Sequence, residues 1–234
     1  MYGWRARLGV IMPDNNVTVE PELYGVLPAG VSLHGGRVAP PGASGLRDQV
    51  LAMADALPGA VEPFRGRVAV IGYACMATSL WKSAGWHEPV GAAAGVPFLP
   101  AGETMVAALS RLGARRIGVF SPYPDELAGL VAGWFDRHGI TVAHSANLPL
   151  DTQGAAPSLH EVYAAVRREF AGRDIAALAV LATDLATFTA IEPLEHDLGV
   201  PVVSSNLALL WNMLGAAGVR APAAGPGRLF RLDV

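Results

Sequence analysis

The stretch VAVIGYACMATSL carries Cys75, the one cysteine of the 234-residue chain. An apolar run ends at this residue and small polar residues follow. A lone thiol has two readings. It can pack as a small buried hydrophobe. It can also be presented at the mouth of a strand, where the thiolate serves as nucleophile or proton carrier. Position favours the second reading. A helix starting just after Cys75 would aim its dipole at the sulfur and stabilise the thiolate.

Three other short stretches carry donors of similar character. PDNNVTVE supplies Asn15, Asn16 and Thr18, and SPYPDE supplies Ser121 and Tyr123. ATDLAT supplies Thr183 and Asp184, while Thr78 and Ser79 follow the cysteine itself. Each group alone is an ordinary helix cap or turn former. Together, amides and hydroxyls around a thiol suit a small dicarboxylate. The segment LHGGRV adds His34 and Arg37, and an arginine is chemically apt beside a carboxylate.

Other chemistries lack support. The six histidines form no H-x-H or H-E-x-x-H spacing and have no second cysteine to join, so no metal site is expected. No phosphate-binding G-x-x-x-x-G-K-[ST] occurs, no G-x-G-x-x-G follows a strand, and no G-x-S-x-G is present. Nucleotide cofactors and a serine nucleophile are therefore not expected. Formal net charge is -3 with no basic run, which argues against nucleic acid as a partner. No apolar stretch reaches about 18 residues, so no membrane span is expected. With a single thiol and no leader-like start, the expectation is a soluble cytoplasmic protein.

The elements that must hold these residues read as alternating strands and helices. Strands are expected at 7–13, 31–38, 68–74, 96–100, 115–121, 140–146, 178–182 and 200–205. Several are continuous apolar runs, as in parallel strands covered on both faces. The clearest helical patterns are 103–112, 124–138, 158–170 and 206–217. The chain also repeats itself. RLGVIMP at 7 matches RIGVFSP at 116, an offset of 109; AVIGYAC ending at 75 matches ALAVLA ending at 182, an offset of 107. GVP at 95 returns at 199, an offset of 104. The expected fold is α/β, with two pseudosymmetric domains, each a short mostly parallel sheet flanked by helices. Residues 1–100 form the first domain and 101–234 the second, with the C-terminal helix packing back on the first. Ligands of open parallel sheets bind beyond the carboxyl ends of the strands. The site is therefore expected in the cleft between the two domains.

These segments resemble the Asp/Glu racemase superfamily, in its maleate cis-trans isomerase and arylmalonate decarboxylase branch. VIMPDNNVTVEPE resembles that branch's PSSNTTxExE and puts Asn16 on its substrate-binding asparagine. GYACMATS resembles YxCTSGS and puts Cys75 on its first catalytic cysteine. SPYPDEL resembles the segment that carries its active-site tyrosine, giving Tyr123. VLATDLATFTAIEPLEHDLGVPVVSSNLALLWNML resembles SCTNLRTxxxIxxLExxLGxPVxSSNxAxxWxxL, and the likeness spans nearly the whole chain. It implies carbanion or enediolate chemistry without metal or cofactor, and a homo-oligomer, mostly a dimer. Two departures stand out. The family's second cysteine falls on Ala182, which cannot ionise, and Asp184 is displaced from it by two residues. The TSG of the first motif becomes Met76-Ala77-Thr78.

Three functions follow. The first is a maleate isomerase-like enzyme acting through Cys75 and an enediolate-type intermediate. The second is an arylmalonate decarboxylase-like enzyme in which Cys75 protonates one face. The third is a non-catalytic or respecialised relative that binds a small carboxylate. In the enzymatic readings Cys75 and Tyr123 are the expected catalytic residues. Asn15, Asn16, Thr78, Ser79, Thr183 and Asp184 are the expected substrate-binding residues.

Overall fold

The computed structural model describes residues 2–39, 42, 44–148, 157–220 and 225–232. Among these residues eight strands form two sheets of four, and every pairing is parallel. The first sheet holds β1 (Ala6–Pro13), β2 (Val31–Val38), β3 (Val70–Tyr73) and β4 (Phe98–Pro100), in the order β2-β1-β3-β4. The second holds β5 (Arg116–Ser121), β6 (Thr141–Asn147), β7 (Ala177–Val180) and β8 (Val202–Ser204), in the equivalent order β6-β5-β7-β8. The repeat read from the sequence is thus a repeat of sheet topology. β1 corresponds to β5, β3 to β7 and β4 to β8.

Covering both faces of parallel strands makes them uniformly apolar. β3 and β7 are buried at every position, and β1 is buried at six of its eight residues. β6, an edge strand, is only partly covered, and its TVAHSAN sequence mixes polar with apolar residues. Eight strands were expected and eight are present among the described residues, with shifted ends. The expected strand 178–182 stops at Val180, because Ala182 has a φ of 84° and leaves the extended region. The expected strand 200–205 stops at Ser204, whose Oγ accepts from the Leu207 N–H and caps the next helix.

The four clearest helical patterns are α5 (Ala101–Arg111), α6 (Asp125–Asp136), α7 (Leu159–Phe170) and α9 (Ser205–Ala216). α7 opens on a capping box, Ser158 with Glu161, which explains why its start is legible. Among the described residues there are six further α-helices: α1 (Val19–Gly25), α2 (Leu46–Ala60), α3 (Met76–Trp81) and α4 (Glu88–Ala94) before α5, α8 (Phe188–Leu198) between α7 and α9, and α10 (Gly227–Phe230) after α9. α2 is long yet poorly signalled. Its cap is Gly45 at a φ of 86°, without a side-chain cap, and Pro58 lies inside its last turn.

Two contacts place the helices that matter for the strand ends. α9 crosses β3 so closely that a Cβ on Gly72 would lie 2.5 Å from the Met213 sulfur and 3.0 Å from a Leu209 methyl. α5 meets α3 at Gly102, where a Cβ would lie 2.4 Å from the Ser79 Cβ. The Ser79 Cβ is tied to a helix backbone, so it cannot swing aside as a long side chain would. We expect Gly102→Ala to overpack this contact and cost about 1–3 kcal/mol. Thermal unfolding should show a midpoint several degrees lower, and an unchanged midpoint would mean that α3 is free to slide on α5.

Candidate active site

The strand ends of the two sheets face one pocket of about 410 Å³. The loop after β1 contributes Pro13, Asp14, Asn15 and Asn16, and the loop after β3 contributes Cys75, Met76 and Ala77. From the second sheet come Pro122 and Tyr123 after β5, and Ala182, Thr183 and Asp184 after β7. The cleft position and four of its strand-end segments were legible in the sequence. Its remaining wall was not. Leu46, Val50 and Met53 on α2, with Leu127 on α6, close the pocket with apolar side chains. Their spacing on α2 is three to four residues, the signature of one helix face.

Asn16 is 4% exposed and its side chain is fully engaged on one end. Its carbonyl oxygen accepts from the N–H groups of Thr18 and Val19, both at 3.0 Å, and so starts α1. Its amide donates to Thr183 Oγ1 at 3.3 Å. Thr183 in turn donates to the carbonyl of Ala74 at 2.9 Å. A second-sheet hydroxyl therefore fastens the first-sheet asparagine and the residue just before Cys75. An amide nitrogen carries two N–H groups, so Asn16 retains one donor beyond this bond.

Glu22 on α1 makes a second link between the sheets. Its carboxylate accepts from the N–H groups of Thr187 and Phe188, at the start of α8, and from Asn206 Nδ2 at 2.7 Å. Asn206 also donates to the Thr183 carbonyl at 3.0 Å. Burial raises the Glu22 pKa, and these bonds from Thr187, Asn206 and Phe188 oppose the rise.

Cys75 is the N-cap of α3 and is 6% exposed. Here one expectation is corrected. The hydroxyl and N–H of Thr78 and the hydroxyl of Tyr73 do favour the thiolate, as a helix start should. Burial outweighs them, and the charge of Asp184 adds to it, so the thiol pKa is raised rather than lowered. α3 is only six residues long, and a short helix has little dipole to set against desolvation.

Tyr123 presents a buried hydroxyl that donates to no partner among the described residues and lies beside the Ala182 N–H. Burial pushes its pKa well up, the nearby charges of Asp184 and Cys75 add to this, and the Ala182 N–H opposes it. It stays protonated and is a donor. Asp184 is exposed at the pocket wall, yet the desolvation it does suffer raises its carboxyl pKa.

Not every expected residue reaches the pocket. Thr78 lies behind the cysteine, its hydroxyl 3.2 Å from that of Tyr73. Ser79 points the other way and donates to Glu103 on α5 at 2.7 Å. Ser121 donates to Asn147 Oδ1 at 3.0 Å. Arg37 donates to the Asn16 carbonyl at 2.7 Å and pairs with Glu20, so it holds the loop from outside. His34 faces Ser32 at the surface. Among the described residues no group of three or more His, Cys, Asp or Glu is placed to hold a metal ion, and no helix is long and apolar enough to cross a membrane.

A family model described as arylmalonate decarboxylase matches residues 9–230. A maleate isomerase of Nocardia farcinica is 27% identical over 251 residues, covering 97% of this chain and 96% of its own. The crystal structure of a maleate isomerase variant from Pseudomonas putida S16 with maleate has a TM-score of 0.86 at 23% identity, covering 96% of this chain and 97% of that one. A mutant of the Nocardia farcinica maleate cis-trans isomerase with a covalently bound succinylcysteine intermediate has a TM-score of 0.83 at 24% identity, covering 98% and 99%.

Two outcomes test this geometry. Alkylation of Cys75 by iodoacetamide should be slow at neutral pH and keep accelerating past pH 9.0, the thiol's ordinary value, because burial favours the protonated form. A rate that levels off near neutrality would show a stabilised thiolate instead. Thr183→Val removes a buried donor and acceptor at once and should cost about 1–3 kcal/mol in denaturant unfolding, with Thr183→Ser restoring much of it.

Proposed function

The chain belongs to the arylmalonate decarboxylase family, and within it we propose that this protein is a maleate isomerase-like enzyme working through Cys75. The observation that carries the reading is a single buried thiol set in the pocket among uncharged donors. The Asn16 amide, the Tyr123 hydroxyl and the N–H groups at the start of α3 lie around it. These first-turn N–H groups have no intrahelical partner and can take a carboxylate oxygen.

In this reading a cis-enedioate binds with one carboxylate on those donors. The sulfur adds to the double bond, and the π electrons move toward the other carboxylate to give an enediolate. Donors aimed at that developing charge are worth most in a water-poor site. Rotation about the former double bond and departure of the sulfur yield the trans product. One nucleophile suffices, so Ala182 in place of a second cysteine does not block the cycle. The succinylcysteine held by the Nocardia farcinica relative contains the S–C bond that this path forms; it is the same adduct carrying one further proton on carbon.

The same proposal assigns Asn15, Asn16, Thr183 and Asp184 to substrate contact and Thr78 and Ser79 to support of α3. It treats residues 1–100 and 101–234 as two domains of a homo-oligomeric cytoplasmic enzyme that needs no metal or cofactor.

One observation favours a second reading. The wall of Leu46, Val50, Met53 and Leu127 is apolar, and among the described residues no lysine or arginine lines the pocket. That suits a substrate with an apolar substituent, as in an arylmalonate-type carboxy-lyase. There, loss of CO2 would give an enediolate that Cys75 protonates from one face. Separate incubations with maleate and phenylmalonate, followed by proton NMR, discriminate the two. Fumarate is expected from maleate, and Cys75→Ala should abolish its formation. Phenylacetate from phenylmalonate, without fumarate, would establish the second reading. Near-full turnover by the alanine variant would overturn both.

A further inference from the structure

Burial keeps Cys75 largely as the thiol, yet sulfur must shed its proton to attack a double bond. The thiol therefore needs a proton partner inside the pocket. Among the described residues the other titratable groups on its wall are Asp14, Tyr123 and Asp184. Tyr123 holds its own proton too tightly to accept another group's. Glu22 packs behind the loop that carries Asp184, but its carboxylate is occupied by the N–H groups of Thr187 and Phe188 and by Asn206. Tyr73, beneath the thiol, hydrogen-bonds both it and Thr78, but burial pushes its pKa well up and it keeps its own proton. Of the two pocket aspartates, Asp184 stands next to Thr183, whose hydroxyl bonds the carbonyl of Ala74 just before Cys75, so its loop is tied directly to the thiol's; its charge reaches both Cys75 and Tyr123.

The loop fixes Asp184 in place. The Thr18 hydroxyl donates to its carbonyl at 3.0 Å, and the preceding Thr183 is pinned to Asn16 and Ala74. Its side chain is exposed on the pocket wall, and the bond that lowers its pKa comes from its own backbone N–H. Ala182, at the position equivalent to Cys75, has a φ of 84°, a strained turn for a residue with a Cβ. The second sheet's loop thus presents a carboxyl two residues beyond the position at which the first presents a thiol.

We propose that Asp184 is the proton partner of Cys75, a catalytic group supplied by the second half of the chain. This rests on the isomerase reading above. As the S–H bond breaks, the proton passes to an Asp184 carboxylate oxygen and the S–C bond forms. The π pair of the substrate moves out to the enediolate. After rotation the pair returns to re-form the double bond, the S–C bond breaks, and Asp184 returns the proton to sulfur. No proton or electron is gained or lost over the cycle.

Asp184→Asn separates this role from a structural one, because it should move two readouts in opposite directions. Removing the negative charge favours the thiolate, so iodoacetamide should alkylate Cys75 faster at a fixed neutral pH. Turnover of maleate should fall by about 10²–10⁴, the usual worth of a positioned acid–base group. The pH–rate profile should also lose the limb that reports the carboxyl. Asp184→Ser serves as a second variant, with thermal unfolding of each to check that it folds. Turnover within about threefold of the wild type overturns the inference while leaving the isomerase reading intact. Alkylation and turnover that fall together also overturn it, since they would mark Asp184 as structural support. A wild-type enzyme that leaves maleate unchanged overturns the isomerase reading, and this inference with it.

Discussion

One hydroxyl holds the site together. Thr183 Oγ1 accepts from Asn16 and donates to the carbonyl of Ala74, so a single atom from the second sheet fastens two loops of the first. Both loops end strands that the pairing of β1 with β3 already sets side by side. What the sheets cannot set is the height of each loop above the pocket floor, and the hydroxyl supplies that. Its environment is buried, where an unmade bond costs more than a made bond contributes. Glu22 repeats the device a layer further out. By capping α8 and holding Asn206 it ties α1, α8 and α9 to the same junction.

Placing the thiol there has an electrostatic consequence. The pocket excludes enough water to raise the Cys75 thiol, the Tyr123 hydroxyl and the Asp184 carboxyl together. The direction is the same for all three because burial disfavours each charged form. A site so arranged rests as a neutral thiol facing neutral donors. The same exclusion strengthens every donor directed at charge that develops on a bound substrate. Low reactivity at rest and strong stabilisation during reaction are two effects of one dielectric environment.

The two halves share a topology and differ in chemistry. Equal strand orders bring equivalent loops to opposite sides of the pocket. The first half ends β3 in a thiol at a helix start, and the second ends β7 in an alanine at positive φ followed by a threonine and an aspartate. The symmetry is one of backbone scaffold. The asymmetry lies in a few side chains, which is where a duplicated fold can change its reaction without changing its core.

The eight strands were legible because parallel strands covered on both faces must be apolar throughout, a property that needs no knowledge of neighbours. The pairing of RLGVIMP with RIGVFSP, and of Cys75 with Ala182, was legible for the same reason, as was the placing of Asn16, Cys75, Tyr123, Thr183 and Asp184 at strand ends. The fold class and four walls of the site were therefore determined by local pattern. Tertiary structure decided the rest. α2 has a glycine cap and an internal proline, so its helix, and with it the apolar wall of Leu46, Val50 and Met53, is drawn from packing. Ser79 and Thr78 sit on the same short helix as the thiol, but the helical turn points one to Glu103 and the other beneath Cys75. The raised thiol pKa was invisible too. The dipole that favours a thiolate is written in residues adjacent along the chain, whereas the burial that overrules it comes from residues brought close only when the two sheets meet.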